Sequence, residues 1–353
     1  EAAAALIEAA IPGDTEPPGT WPICAALLPH ALEALADDSA GMTRIARYLG
    51  SSGSYAVARD LQRRILDAQE QVLGPENPET LAARHELARW TGYAGDLAAA
   101  RDQFAGLLPM LERVLGPEHP DTLIARANLA RFTGQAGDPA AARDQCAELL
   151  PAEERVLGPE DPGTLAARSN LAMWTGVAGD PAAARDQFAG LLPLRERVLG
   201  PEHPDTLHAR HELAFWTGVA GDPAAARDQF AGLLPLRERI LGPEHPDTFI
   251  ARANLARFTG EAGDPAAARD QYAGLLPEEE RVLGPEHPHT LIARANLARF
   301  TGQAGDPAAA RDQYADLLPV EERVLGPEHP DTAITRGNLA HWTAEADDDP
   351  GTA

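Results

Sequence analysis

Between Asp121 and Gly158 the apolar positions follow a helical period twice. Leu123, Leu129, Ala130 and Thr133, with Arg126, fall on one side of a helix that Gly137 ends in a left-handed cap. Asp138 and Pro139 then open a second helix, an N-cap residue followed by proline at the first helical position. It runs through Ala142, Cys146 and Leu149 to Leu157, where Gly158-Pro159 stops it. Asp121, after Pro120, is placed to cap the first helix from Thr122. The pattern predicts helix A, a tight turn, helix B and a capped linker. Pro151, with copies at Pro109, Pro193, Pro235, Pro277 and Pro319, falls inside helix B. It removes a backbone donor and costs about 3 kcal/mol in an ideal helix, so a kink or break is expected there.

The linker Gly-Pro-Glu-His-Pro-Asp-Thr, or a close variant, starts at Gly74, Gly116, Gly158, Gly200, Gly242, Gly284 and Gly326, always 42 residues apart. Such invariance marks a repeat array, in which function belongs to a surface summed over many units. Residues 38–73 hold the same register without the linker and read as a degenerate first copy. A lone helix A at 331–344 is placed to cap the last unit. The array is thus expected over 38–345, after an N-terminal helical and linker segment at 1–37 and before an acidic tail at 346–353. The chain opens on Glu1, which suggests a piece of something longer.

Composition narrows the reading. Few aromatic and β-branched residues make the class all-α. The net charge of −24 opposes sequence-independent binding of nucleic acid. All 30 basic residues are arginine, which removes phosphate-loop and Schiff-base lysines together. Cys24 and Cys146 give no disulfide framework, and Cys146 stands where other copies carry Phe or Tyr in the core. No apolar run is long enough to span a bilayer, and no signal segment opens the chain. No Ser-His-Asp or paired-carboxylate arrangement rises above the repeat background. A cytoplasmic, non-catalytic protein without cofactor is expected.

Leu129, Ala130, Gly137-Asp138, Ala142 and the aromatic position four residues later (Phe104, Phe188, Phe230, Tyr272 and Tyr314 in other copies) resemble the tetratricopeptide repeat signature. The 42-residue period and the Gly-Pro-Glu-His-Pro linker are similar to the extended version found in kinesin light chains and many bacterial signalling proteins. The resemblance implies a right-handed α-solenoid of helical hairpins with helix A lining the concave side. One departure is arginine where the family places an aromatic early in helix A, from Arg84 and Arg126 through Arg336. Thr20 to His30 resembles the stretch leading into the repeats of actinobacterial STAND-type signalling ATPases. That likeness implies the C-terminal sensor region of a larger ATPase.

Positions that every copy shares serve the fold, whereas positions that vary within a fixed frame are candidates for recognition. In helix A the variable positions recur at i, i+4, i+7 and i+11, one helical face. Asparagine recurs along it at Asn128, Asn170, Asn254, Asn296 and Asn338, able both to donate to and to accept from an extended backbone. In kinesin light chains, by resemblance, asparagines at this position work in the groove. The middle copies offer Met173, Val177, Phe215 and Val219 as an apolar floor, with His208 beside them. Arg89 and Arg131 stand before them, and Arg257 and Arg299 after. The expected ligand is an extended protein or peptide segment with a hydrophobic anchor and acidic flanks. One alternative is that the asparagines only satisfy neighbouring helices; another is a passive scaffold that self-associates, its groove occupied by its own chain or by a neighbour.

Other recurring groups read as structural. His119, His203, His245, His287 and His329 lie one per copy, too far apart to share a metal. The helix A arginine and the helix B Arg143-Asp144 pair, with its copies, are expected to pair between helices. Glu153-Glu154 and its copies are expected on a solvated face.

Overall fold

The heptapeptide linker acts through almost every one of its residues. Gly116 takes φ +102°, a region open to glycine, and turns the chain out of helix B. His119, not Asp121, caps the next helix: its Nδ1 accepts from the Asp121 amide at 3.2 Å. Helix A therefore begins at Pro120, where the missing amide costs nothing, and Asp121 sits in the first turn, favoured by the helix dipole. Thr122 donates back to the Gly116 carbonyl at 2.8 Å, closing the loop. The linker glutamate pairs with an arginine late in the following helix B, as Glu202 does with Arg239 at 2.6 Å. The histidine row is thus a set of helix caps.

In the computed structural model, which describes residues 2–348, the described chain is helical, with seventeen α-helices in paired hairpins and no strand. One compact unit, residues 1–178, holds α1 (Ala2–Ala10), α2 (Trp21–Ala34), α3 (Ala40–Ser51), α4 (Tyr55–Leu73), α5 (Pro78–Tyr93), α6 (Leu97–Val114), α7 (Pro120–Gln135), α8 (Pro139–Val156) and α9 (Pro162–Val177). The other, residues 179–353, holds α10 (Pro181–Val198), α11 (Pro204–Val219), α12 (Pro223–Ile240), α13 (Pro246–Glu261), α14 (Pro265–Val282), α15 (Pro288–Gln303), α16 (Pro307–Val324) and α17 (Pro330–Asp347). From α3 onward odd-numbered helices are type A and even-numbered ones type B. The acidic tail lies outside the described residues from 349.

Packing within each unit repeats one arrangement. In the first, Phe104 of α6 stacks on Phe132 of α7, centroids 5.7 Å apart, and the Phe132 ring fills the space over Gly92 of α5. A Cβ at Gly92 would stand 2.1 Å from that ring, so glycine here permits the close approach of neighbouring A helices. In the second, Phe230 stacks on Phe258 at 5.8 Å, and Phe258 lies over Gly218 in the same way. Cys146 is buried in the core, as expected of a residue replacing an aromatic. The final helix departs from the pattern. Ala333 is exposed where Leu291 is 1% exposed in α15, and no B helix follows α17 among the described residues. A smaller residue at an uncovered position suits a lone terminal helix.

Three further expectations from sequence fail. Helix B is unbroken through its proline: α6 is one helix from Leu97 to Val114 with Pro109 inside it. Phe104, Leu107 and Leu111 are buried on both sides of Pro109, and their burial outweighs the loss of one backbone bond. Arg143 and Asp144 pair with each other along one helix at 2.7 Å rather than between helices. The helix A arginine does pair between helices, but with a helix B glutamate, as Arg168 with Glu154 at 2.7 Å. Finally, Glu153 is not solvated. It is buried, as are Glu279 and Glu321 at the same position, whereas the second glutamate reaches an arginine at Glu154 and Glu322.

The helix B caps give a direct test. Asp222 accepts from the Ala225 amide at 3.0 Å. Asp222→Ala leaves that donor unpaired and is expected to lower unfolding free energy by about 1 kcal/mol, measured by denaturant titration. No change would mean that solvent replaces the cap fully.

Candidate functional site

A helices pack beside one another within each unit: α5 with α7 and α7 with α9 in the first, α11 with α13, α13 with α15 and α15 with α17 in the second. Their shared leucine, alanine and threonine positions turn inward, as Leu123, Ala130 and Thr133 do in α7. The variable positions at i, i+4, i+7 and i+11 are left half-buried or exposed.

In the first unit, Asn128 is half-buried with Nδ2 3.2 Å from Nε2 of His85 on the neighbouring A helix. Arg131 donates to the Tyr93 hydroxyl at 2.8 Å and lies over that ring, 5.0 Å from its centroid. Among the described residues no carboxylate lies within 4 Å of it. Asn170 is exposed and makes no side-chain hydrogen bond among the described residues. Met173 is half-buried against the cluster of Ala130, Cys146 and Trp174, and Val177 is 50% exposed.

In the second unit the stripe is more tightly tied. Phe215 is half-buried, edge-on to Trp216 and Phe258, with Arg257 over its ring at 5.7 Å. Arg257 pairs with Glu261 at 3.0 Å, and Arg299 reaches the same carboxylate at 3.6 Å. Asn254 Nδ2 is 3.3 Å from His211 Nε2, and Asn296 donates to the Ile292 carbonyl of its own helix. Asn338 donates to the Tyr314 hydroxyl. His208 and Val219 are exposed, His208 standing 4.0 Å from Glu212. The asparagine row is therefore not uniform: Asn128, Asn254 and Asn338 support neighbouring helices, while Asn170 faces solvent.

The residues that sequence reasoning passed over are His85 and His211. Burial, with Arg89 nearby, pushes His85 down to about 4. Burial, with Arg237 and His208 nearby, pushes His211 down to about 3. Both are thus neutral acceptors for the asparagine of the next repeat. Their signal is His-Glu-Leu at 85–87 and 211–213, where other copies read Ala-Asn-Leu, Ser-Asn-Leu or Gly-Asn-Leu. The sequence also gave no hint of a cavity of about 630 Å³ on the A face of the first unit, walled by α3, α5 and α7 with Gln62 and Gln69 of α4 lining it.

Tetratricopeptide repeat family models match residues 38–113 and, as five consecutive 42-residue copies, 122–163, 164–205, 206–247, 248–289 and 290–331. No curated protein matches the sequence. Among solved structures, a putative kinesin light chain of Podosopora anserina with nearly identical TPR-like repeats is 24% identical, covering 58% of this chain and 98% of that one, with TM-score 0.51. A Rap protein complexed with Competence and Sporulation Factor is 11% identical over 98% of this chain and 97% of that one, TM-score 0.57. A STAND protein with a tetratricopeptide repeat sensor, from Pyrococcus horikoshii, is 11% identical over 93% of this chain and 50% of its own length, TM-score 0.56. At these identities the likeness is one of fold. No helix among the described residues is long and apolar enough to cross a membrane.

Proposed function

Because the chain belongs to the tetratricopeptide repeat family, generally a protein-interaction module and typically non-catalytic, we propose that its A-helix face receives an extended segment of a protein partner. The observation that carries this reading is the split between positions. In the A helices, shared positions such as those of Leu123, Ala130 and Thr133 are buried, and the variable positions at i, i+4, i+7 and i+11 stay half-buried or exposed in both units. A binding surface needs that freedom to vary; a purely structural helix face does not.

The surface chemistry refines the ligand. Val177 and Val219, with the half-buried Phe215, offer apolar contact for hydrophobic side chains. Asn170 is a free amide for the ligand backbone. Among the described residues Arg131 is a cation without a carboxylate partner, whereas Arg257 and Arg299 already share Glu261. An acidic flank therefore gains more at Arg131 than at the other two. In this reading the protein is the sensor region of a larger bacterial signalling ATPase, and partner capture relieves inhibition of its nucleotide-binding core. The STAND protein with a tetratricopeptide repeat sensor is a likeness in keeping with that role, of fold only.

A random peptide library panned on the full chain tests the reading. The expected outcome is enrichment of peptides with an apolar centre and acidic flanks, bound at least tenfold more weakly by an Asn170→Ala, Phe215→Ala, Arg257→Ala variant. Equal binding by that variant would remove the proposed surface. Sedimentation covers the scaffold alternative: a mass that rises with concentration in the absence of peptide favours self-association over sensing.

A further inference from the structure

In the second unit α10 and α12 are not packed against each other as α11 and α13 are, and a furrow of about 340 Å³ opens between them with α11 as its floor. Leu192 of α10, Leu213 of α11 and Leu233 of α12 make its apolar walls, beside Gly232. Its polar lining is Glu196, Arg210, Asp228 and Gln229. Arg210 and Leu213 stand on the side of α11 away from His208, Glu212, Phe215 and Val219. The furrow is therefore separate from the recognition surface proposed above.

Gly232 is not required by the fold. It sits inside α12, where glycine is disfavoured, and a Cβ added to it would meet nothing within 4 Å. At the corresponding position α8 carries Glu148 and α16 carries Asp316, so a side chain is compatible with the helix. What the glycine does is leave the furrow open. The acidic groups are also only half used. Glu196 Oε1 accepts from Arg210 Nε and Nη2 at 3.2 and 2.6 Å. Asp228 Oδ1 accepts from Arg227 Nη2 at 2.8 Å. Glu196 Oε2, Asp228 Oδ2 and the Gln229 side-chain oxygen have no hydrogen-bond partner among the described residues. Two carboxylates and one guanidinium line the furrow, in a chain of net charge −24, so its field favours a cation.

A ligand that suits both the walls and the charge has a slim apolar stem and a compact cationic tip. Lysine supplies a flexible methylene stem and an ammonium with three donors, whereas the planar arginine head is broader and would face Arg210. We propose that this furrow takes a lysine side chain of a partner protein, its stem over Gly232 among the three leucines and its ammonium at Glu196, Asp228 and Gln229. None of the 353 residues is lysine, so the side chain comes from outside them. That sets the site apart from association between copies of this sequence.

The probes are short blocked alanine peptides with one central residue: lysine, arginine, norleucine or glutamate. Methyl chemical shifts of Leu192, Leu213 and Leu233 in the full chain are the readout, which keeps similar furrows, such as that at Gly274, out of the measurement. The lysine peptide is expected to shift all three saturably, with a dissociation constant about fivefold or more below those of the other probes. Gly232→Leu fills the furrow and should abolish the response, with unchanged circular dichroism and an equal or higher melting temperature. Asp228→Asn, at an exposed position, should weaken lysine binding by about threefold or more and leave norleucine binding as it was. The Asn170→Ala, Phe215→Ala, Arg257→Ala variant should bind the lysine peptide as the wild type does, so failure here and failure of the A-face reading are told apart. An arginine peptide bound as tightly, shifts that survive Gly232→Leu, or no saturable shift with any probe would overturn the proposal.

Discussion

Phe258→Ala is expected to destabilise the second unit by about 3–5 kcal/mol, the cost of removing a large buried aromatic whose space cannot close. Phe258 is fully buried. Its ring stacks on Phe230, meets Phe215 edge-on at 6.3 Å and carries Arg257 at 5.1 Å. It also fills the space that Gly218 leaves open: a Cβ there would stand 2.1 Å from the ring. Three helices, α11, α12 and α13, therefore lose contact at once. Because repeat arrays are held by nearest-neighbour terms, the loss should stay local. Hydrogen exchange checks this. Amides of α11 and α13 should lose protection by the equivalent of that energy, while those of α5 and α7 keep theirs. A loss below about 1 kcal/mol would mean that the site collapses around the missing ring. Arg257 would lose its platform as well, so peptide binding at the proposed surface should weaken in the same variant.

The second large effect is a pH dependence set by Glu279. Burial pushes this carboxyl from its ordinary value of 4.5 up to about 7, and Oε2 finds no hydrogen-bond partner among the described residues. Between those two values the folded chain holds a proton that the unfolded chain has released. Stability from this group is therefore greatest below pH 4.5 and is lost as pH rises to 7, by up to about 3 kcal/mol. Glu153 adds a loss of the same sign, because burial and then Asp161 push it to about 7. His85 and His211 act oppositely. Their lowered values mean that stability is lost as pH falls from 6.5, so the wild-type curve alone is a mixture. The difference between Glu279→Gln and wild type isolates the one group. The variant should be close to neutral at pH 4.5 and more stable by about 2–3 kcal/mol at pH 8, read from denaturant midpoints. A difference that does not grow with pH would show the carboxylate to be hydrated.

The recognition surface was legible only in part, for a reason visible in single residues. Variation at Asn128, Asn170 and Asn254 marked one helical face, and all three do lie on it. Yet Asn128 and Asn254 bond to His85 and His211, while Asn170 is free, because the residue 43 positions earlier is Ala127. That bond depends on a side chain in another helix, which periodicity along one helix cannot reveal. Glu153 was misjudged similarly. Its place in a charged run suggested solvent, but the fold buries it.

The chain by itself determined its helices, their hairpin order and the linker that joins them, since glycine conformation, proline position and apolar period are local properties. Most of the heptapeptide's roles follow from residues within a few positions of one another, the exception being its glutamate, whose arginine lies 37 positions on. Only the tertiary structure decided which polar groups are buried, which arginines keep a free charge, and that a furrow opens between α10 and α12. Those properties depend on distances between helices separated by a whole repeat, and burial is set by what packs across that distance.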